Sequence, residues 1–368
     1  MVLQQRIFFD FLQFCIGSVA EIPASVKDAD WKVLYAIAKK QALIGVLFHG
    51  IKQLPKELAP DADLLMTWMG MAQRIRQQNI RLFLDSAKVC KNFKQAGFRC
   101  CVLKGQGNAL LYPDPYMRTP GDIDIYLEGG RKRIMEYVNR VCPNQVMRYH
   151  HVDFPVMKTA IEVHFTPSYM FCPVHNRRMQ QWFGEVMDLQ CSNRVALPDG
   201  YGEITVPTVS FNVIYILSHL YRHVFTEGIG LRQLLDYYYV LVKWHTELTD
   251  STDLNTCKSL PQMAQINTDL DALRHELKHL GLWKFAKAVM YVLHEVFGLS
   301  EDKMIAPMDE KEGGFLLDEI MRGGNFGQYD NRLGSKEDEG KLHRYLRMNL
   351  RNLRFVRHYP TEALSEPL

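Results

Sequence analysis

The stretch that decides the fold, residues 102–127, reads "VLKGQGNALLYPDPYMRTPGDIDIYL". It joins a short apolar run ending in a Lys-Gly turn, a proline-rich loop, and a second apolar run that carries two aspartates. Proline fixes the backbone φ angle and has no N–H to donate, so the middle of the stretch cannot be regular structure. The sequence therefore predicts two short strands connected by a loop.

The two aspartates, Asp122 and Asp124, are predicted to project from one face of the second strand. Side chains alternate along a strand, so Ile123 and Ile125 point the other way, into the core. Carboxylates this close repel each other and raise one pKa unless a cation lies between them, and a divalent metal ion is the natural counter-charge. The pair is also compatible with the solvent face of an edge strand.

A second polar pair lies in "AIEVHF", residues 160–165. The same alternation buries Ile161 and Val163 and sends Glu162 and His164 to the opposite face. If this strand lies in the same sheet as the aspartates, Glu162 completes a cluster of three carboxylates. Such an oxygen-rich cluster suits Mg²⁺ or Mn²⁺, and it can hold two ions.

The rest of the chain divides by pattern. Apolar residues three and four positions apart predict helices over 1–98, alternating strand and helix patterns fill 99–205, and helices return over 206–300. The Gly-rich and charged residues after 300 predict a flexible link before a basic helix, over 301–368. We therefore predict an α+β protein with a small mixed-sheet core flanked by helical regions.

Composition narrows the class of protein. The 368 residues are 47% hydrophobic and 23% charged, as in a folded globular chain, and the net charge of +3 is no argument for nucleic acid or anionic membrane as a partner. The first residues, "MVLQQRIFFDFLQFCIGS", mix charge and glutamine into apolar positions, which argues against a signal peptide or membrane span. We expect a cytoplasmic protein.

The eight cysteines contain no C-x-x-C pair, so they predict reduced thiols and no disulfide framework. Cys172 and His175 have ligand-like spacing, and His150 and His151 precede them. Ordinary packing is favoured over a structural zinc site for these residues.

The order of motifs is the most specific signal in the chain. "LKG", a short helix with "LY", then R-T-x-x-DID and later "IEVHF" resembles the nucleotidyltransferase superfamily, which shares the fold of DNA polymerase beta. The chain is most similar to an uncharacterised bacterial nucleotidyltransferase family, and "HLYRHVFTEGIGLRQLLD" resembles that family's helical region. The resemblance spans roughly residues 70 to 300.

The resemblance implies roles for individual residues. Asp122 and Asp124 are expected to bind Mg²⁺, and Glu162 to act on the acceptor hydroxyl as a third metal-binding and catalytic acid. The residues expected to contact the nucleotide are Lys104, Gly105, Arg118, Thr119 and His164. Two departures stand out: the turn is Lys-Gly-Gln-Gly where the superfamily commonly has Gly-Gly or Gly-Ser, and the third acid is Glu rather than Asp.

Two basic residues near the aspartates have alternative interpretations. Lys104 supplies a point charge to a phosphate, or it is a surface lysine at a strand end. Arg118 either orients the phosphates, the favoured reading, or pins its loop through an ion pair with Asp114.

The helical region offers two further pairs. His219 and His223 share a helix face, where packing is favoured over substrate lining and zinc-protease chemistry is excluded by the residues between them. Arg232 and Asp236 fit an i, i+4 ion pair that steadies the helix, although either can face the cleft.

The last helix, "KLHRYLRMNLRNLRFVRHYP", alternates basic and leucine faces. Docking through the leucines, with solvated arginines, is favoured over binding to RNA or an anionic membrane. The arginines are Arg344, Arg347, Arg351 and Arg354, and the leucines are Leu342, Leu346, Leu350 and Leu353.

The resulting hypothesis is a Mg²⁺-dependent transferase that moves a nucleoside monophosphate from a nucleoside triphosphate to a hydroxyl acceptor: a small molecule, a protein or RNA. The motif order also resembles the abortive-infection AbiEii toxin transferases, so a toxin acting on RNA is one alternative. A non-catalytic protein that binds nucleotide or a partner is the other. The three acids argue against it, because carboxylates without a counter-charge are costly to keep together.

Overall fold

A computed structural model describes residues 3–250, 269–332 and 350–365, and its centre is a mixed four-stranded sheet. In spatial order the strands are β1, β2, β4 and β3; β2 and β4 are parallel, and the other two pairings are antiparallel. This arrangement, with helices around it, confirms the α+β prediction. The strands are β1 (Cys100–Leu103), β2 (Ile123–Leu127), β3 (His151–Asp153) and β4 (Ile161–His164).

One face of the sheet is apolar, as strand alternation predicts. Ile125 of β2 is paired with Val102 of β1 and Val163 of β4, and Val163 is paired with Val152 of β3. All four side chains are fully buried. The row fixes the register, because a slip of one residue would move every apolar side chain to the opposite face.

The predicted N-terminal helices are present. They are α1 (Leu3–Cys15), α2 (Trp31–Lys40), α3 (Ile44–Ile51) and α4 (Ala62–Gln95). Asp61 begins α4 by accepting a hydrogen bond from the Leu64 amide. Gly97, at φ +82°, lies just beyond its end, where the sequence predicted a glycine cap.

The proline loop is held from outside by α3 and α4. The Asn79 side-chain amide donates to two loop carbonyls, of Tyr116 and Arg118, each at 2.8 Å. Gly45 lets α3 approach closely, because a Cβ there would lie 2.3 Å from the carbonyl oxygen of Met117. These contacts fix the loop that delivers the chain to β2.

Further helices cover and flank the sheet. The longer ones are α6 (Gly130–Val141), α7 (Pro173–Gln190), α8 (Val209–Thr226), α9 (Leu231–Asp250), α10 (Leu270–His279), α11 (Trp283–Phe297) and α12 (Glu310–Gly323). Short elements are α5 (Gly105–Ala109), the β5 (Arg194–Ala196) and β6 (Glu203–Thr205) hairpin, the helical residues 350–356 that we call α13, and α14 (Pro360–Ala363). Single 3-10 turns lie at Ala24–Asp28, Pro198–Gly200, Glu301–Lys303 and Asn325–Gly327.

The region after residue 300, predicted as a flexible link before a basic helix, contains helix α12 in its described part. In α12, Leu316, Leu317 and Ile320 are buried, and Asp309 begins the helix by accepting from the Glu312 amide. Apolar burial therefore orders a segment whose glycines and charges suggested mobility. The predicted domain boundaries at 98, 205 and 300 stay predictions.

The prediction of docked leucines and solvated arginines is wrong for Leu350, Leu353 and Arg351, but it holds for Arg354, whose exposed guanidinium lies 3.3 Å from Glu319. Leu350 and Leu353 are 67% and 60% exposed, whereas Arg351 is buried. The Arg351 guanidinium donates to the carbonyl oxygens of Val224 and Phe225, at 2.7 and 2.9 Å. The last carbonyls of a helix have no partner within the helix, so Arg351 supplies hydrogen-bond donors to the carbonyl oxygens at the end of α8. Arg344, Arg347, Leu342 and Leu346 lie outside the described residues.

Candidate active site

The strand register places the predicted acids side by side. Asp124 is paired with Glu162, and Glu162 is paired with Asp153 on its other side. Directly paired residues point to the same face of a sheet, so these three carboxylates form a row. One ligand atom each from Asp124, Glu162 and His164 lies within 4.8 Å of the other two. The structure thus brings Glu162 to Asp124 across 38 residues of sequence.

Asp122 lies one residue before β2, at the mouth of the same cleft. Its carboxylate is accessible to solvent but has protein on several sides. The charge of Asp124, followed by burial, raises the pKa of Asp122 to about 6, although Lys104 opposes the shift. Asp122 is therefore the carboxylate whose negative charge is least well offset.

Asp124 is buried and has two cationic or polar partners. Lys104 Nζ lies 3.0 Å from Oδ2, and His164 Nε2 lies 2.9 Å from Oδ1. Burial alone would raise the pKa of Asp124, but the Lys104 charge and the hydrogen bond from His164 outweigh it and hold that pKa well below its usual range. Asp124 is therefore ionised at neutral pH.

Glu162 is partly exposed and His164 is buried beside it. Their closest atoms, Glu162 Oε2 and His164 Nε2, are 3.6 Å apart. Burial lowers the pKa of His164, but hydrogen bonding to Asp124 and Glu162 raises it more, so the net shift is upward. For Glu162, burial raises the pKa, but the His164 hydrogen bond together with the charges of His151 and His164 outweighs it, so the net shift of the Glu162 pKa is downward. His164 thus contacts both acids, and its predicted contact with a nucleotide stays a prediction.

Lys104 reaches the acids from a strained turn. Its backbone has φ 54° and ψ −138°, a region that residues other than glycine rarely adopt. Gly105 follows at φ +44°, so the Lys-Gly turn is left-handed at two consecutive residues. Lys104 Nζ also lies 3.0 Å from His219 Nε2. Lys104 is therefore a cleft residue and not a surface lysine.

Arg118 has a different partner from the one considered in the sequence. It forms a two-pronged buried ion pair with Asp236 of α9, at 2.8 and 2.7 Å, and not with Asp114. Tyr112 also donates to Asp236, at 2.7 Å. Arg118 lines the cleft, and its Nη1 is buried and has no hydrogen-bond partner within the described residues.

The other loop predictions change accordingly. Arg232 does not pair with Asp236; it donates to the Thr119 carbonyl and to Asn325 Oδ1, at 3.4 and 3.3 Å. The Thr119 hydroxyl donates to the carbonyl oxygen of Ala42, at 2.6 Å, and so ties the loop to the start of α3. Thr119 consequently positions the loop.

Helix α8 forms the wall opposite the sheet. His219 and His223 are buried and their ring centroids lie 4.3 Å apart, in agreement with the favoured packing role. His219 also lines the cleft beside Lys104. Burial, reinforced by the Lys104 charge, holds the pKa of His219 well below its usual value, so this ring is neutral.

The cleft between these walls is narrow. It holds about 70 Å³, whereas small-molecule pockets usually hold roughly 300 Å³ or more. Lys104 spans it from the turn to Asp124, and Phe326 lies at its mouth, stacked against Arg232. The space beside the acids is therefore smaller than an ordinary small-molecule pocket.

Two residues next to the acids were not identified as site residues from the sequence. His150 and His151 lie beside His164, and one ring nitrogen from each lies within 4.8 Å of the others. The one signal in the sequence is the adjacent pair "HH", which precedes the ligand-like spacing of Cys172 and His175. In the described ranges, the groups that could hold a metal ion include neither of these latter two residues.

A small mixed sheet with one aspartate on a strand, another directly before it and a glutamate on the neighbouring strand is the arrangement that the resemblance to the nucleotidyltransferase superfamily predicted. A family model described as an uncharacterised nucleotidyltransferase matches residues 27–298, and the chain belongs to that family. The resemblance found in the motifs is therefore confirmed. No curated protein and no solved structure gives a significant match to the chain. None of the helices in the described ranges has the length and apolar character of a membrane span.

Proposed function

We propose that the protein is a Mg²⁺-dependent nucleotidyltransferase that transfers a nucleoside monophosphate from a nucleoside triphosphate to a hydroxyl acceptor. The observation that carries the proposal is the direct pairing of Asp124 with Glu162 on parallel strands, with Asp122 at the mouth of the same cleft. Membership of the nucleotidyltransferase family supports it.

The donor set fits a hard divalent cation. Carboxylate oxygens are the ligands that Mg²⁺ prefers, and Mn²⁺ accepts the same ones. The raised pKa of Asp122 marks a negative charge that lacks a full counter-charge. Asp122 and Asp124 would hold the ion, with Glu162 beside them. When bound, the ion supplies charge neutralisation for the triphosphate.

The residues of the chain then have distinct tasks. Glu162 accepts a hydrogen bond from the acceptor hydroxyl and takes its proton as the acceptor oxygen bonds to the α-phosphorus. The bond from that phosphorus to the bridging oxygen breaks, and pyrophosphate leaves. Lys104, from the turn after β1, and the Arg118 guanidinium, from the loop before β2, offer positive charge to the phosphates.

The Lys104–Asp124 ion pair has to open for this chemistry. A metal ion held by Asp122 and Asp124 would supply the counter-charge that Lys104 now gives to Asp124, and the Lys104 ammonium would then be available to a phosphate. The same ion pair also weakens one argument against a non-catalytic protein, because Lys104 and His164 already offset the Asp124 charge without a metal ion. Only the activity separates the two.

The test uses each of the four α-labelled nucleoside triphosphates with Mg²⁺ and cell extract, and measures labelled product and released pyrophosphate. We expect labelling with the wild type, at least about 100-fold less with Asp122→Asn, and no loss with Asp28→Asn, an exposed aspartate remote from the cleft. Label in RNA favours the toxin-type enzyme, and label in protein or small molecules identifies the other acceptor classes.

A negative outcome has a defined meaning. Triphosphate binding without label or pyrophosphate, with all four nucleotides, would replace the transferase with the non-catalytic nucleotide-binding protein. Equal activity in Asp122→Asn and the wild type would remove the assigned role of the carboxylate cluster.

A further inference from the structure

A compact group of three histidines lies on the sheet beside the carboxylates. His164 of β4 is paired with His151 of β3, and His150 immediately precedes β3. Ring centroids are 4.4 Å apart for His150 and His151, 5.2 Å for His150 and His164, and 5.3 Å for His151 and His164. All three side chains are more than nine-tenths buried.

The ring nitrogens converge. One nitrogen of each ring lies within 4.8 Å of the other two, and His150 Nε2 lies 3.1 Å from His151 Nδ1. Two ligands of a tetrahedral Zn²⁺ ion with ordinary Zn–N bonds are roughly 3.3 Å apart. The closest pair of nitrogens is therefore already near the separation that one ion would impose.

His164 has the hydrogen-bonding pattern of a metal ligand. Its Nε2 is 2.9 Å from Asp124 Oδ1. Nδ1 is buried and has no hydrogen-bond partner among the described residues. Histidines that bind metals usually donate their other ring N–H to a carboxylate, which fixes the tautomer and the ring orientation.

Charge and ligand chemistry select the kind of ion. Glu162 Oε2 lies 3.5 Å from His151 Nδ1. One carboxylate oxygen of Asp153 lies within 4.8 Å of a ligand atom of each of these two residues. These carboxylates and Asp124 oppose the positive charges of Arg222 and Lys104, which act on the His150 ring. Imidazole suits Zn²⁺ and similar transition-metal ions, whereas Mg²⁺ prefers oxygen.

We propose that His150, His151 and His164 form a transition-metal site for Zn²⁺ or a similar ion, with Glu162 as the nearest further donor. This site is distinct from the Mg²⁺ position at Asp122 and Asp124. It goes beyond the transferase proposal, because its occupancy requires neither nucleotide nor activity. The two positions are connected through Asp124, which orients His164.

The experiment measures metal on the full chain purified without a polyhistidine tag. Equilibrium dialysis against Zn²⁺, followed by elemental analysis, is expected to give one tightly bound ion per chain. X-ray absorption at the zinc edge is expected to show nitrogen and oxygen ligands at about 2.0–2.1 Å, with imidazole scattering, and no sulfur at about 2.3 Å.

Variants assign the ligands. His150→Gln/His151→Gln is expected to bind Zn²⁺ at least about 100-fold more weakly, whereas His275→Gln/His279→Gln, which removes two exposed histidines of α10, keeps wild-type affinity. Asp122→Asn is expected to keep Zn²⁺ while losing Mg²⁺-dependent triphosphate binding, so the two proposals can fail separately.

Three results would overturn the proposed site: no stoichiometric Zn²⁺ on the wild type, sulfur ligands in the absorption data, or equal affinity in folded His150→Gln/His151→Gln. If that double variant does not fold, the absorption spectrum of the wild-type protein alone decides whether imidazoles bind the ion.

Discussion

Asp122→Asn is expected to make the protein more stable at pH 7 while removing the Mg²⁺-dependent activity proposed above. The pKa of Asp122 is raised from 3.8 to about 6, chiefly by Asp124. A shift of about two units corresponds to ~3 kcal/mol at 1.36 kcal/mol per unit. Because the carboxylate reaches solvent, screening reduces the expected gain to ~1 kcal/mol.

The sign of the pH dependence follows from the direction of the shift. The folded state binds the Asp122 proton more tightly than the unfolded state, so Asp122 favours folding below about pH 4 and this contribution is lost as the pH rises through about 6. Asparagine does not titrate. The stability advantage of Asp122→Asn should therefore grow between pH 4 and 6 and stay constant above pH 7.

Urea denaturation of the wild type, Asp122→Asn and Asp28→Asn at pH 4, 5, 6 and 8 measures this difference. Asp28 is exposed and serves as the control for removing one negative charge. The reasoning is refuted if Asp122→Asn is less stable than the wild type at pH 8, or if its advantage is the same at pH 4 and pH 8.

Three further predictions concern packing and ion pairs. Gly45→Ala is expected to lower the free energy of unfolding by roughly 1–3 kcal/mol, because the new Cβ would collide with the Met117 carbonyl oxygen. The control is Gly70→Ala in α4, where an added Cβ would meet no atom within 4 Å in the described residues. This change should instead raise the free energy of unfolding by ~1 kcal/mol. Arg118→Leu is expected to destabilise by roughly 3–5 kcal/mol in urea, and adding Asp236→Leu should restore part of this; a double variant as unstable as the single one would contradict the pairing. Lys104→Met should lower the melting temperature, and Mg²⁺ alone should raise that temperature more than in the wild type; a smaller rise would contradict the competition for Asp124.

The sequence predicted the local features of the site well. Alternation along "DIDIYL" and "AIEVHF" assigned the faces of Asp124 and Glu162, because this periodicity depends only on strand geometry. It did not determine that the two strands are neighbours, which was stated as a condition and is met by the parallel pairing. Motif order provided the family, and the family model bears it out.

The partners of residues that are far apart in the sequence were less predictable, because the sequence alone does not say which of several acids pairs with a given basic residue. Arg118 was assigned to phosphate or to nearby Asp114, but a buried carboxylate 118 residues away takes its guanidinium. A similar reason explains the last helix, where Leu350 and Leu353 are exposed and Arg351 is buried, the reverse of the prediction. Arg351 donates to carbonyl oxygens at the end of α8. The residue pattern of the last helix alone contains no information about these acceptors, because they belong to another helix.

The acids of the site stand on or directly before adjacent strands joined by backbone hydrogen bonds, whereas His219 and Arg232 on the facing side of the cleft come from α8 and α9. Widening the cleft thus changes distances between the two sets and leaves the spacing within the acidic set intact. Affinity for a cation should consequently be insensitive to closure, while affinity for a polyphosphate should depend on it strongly.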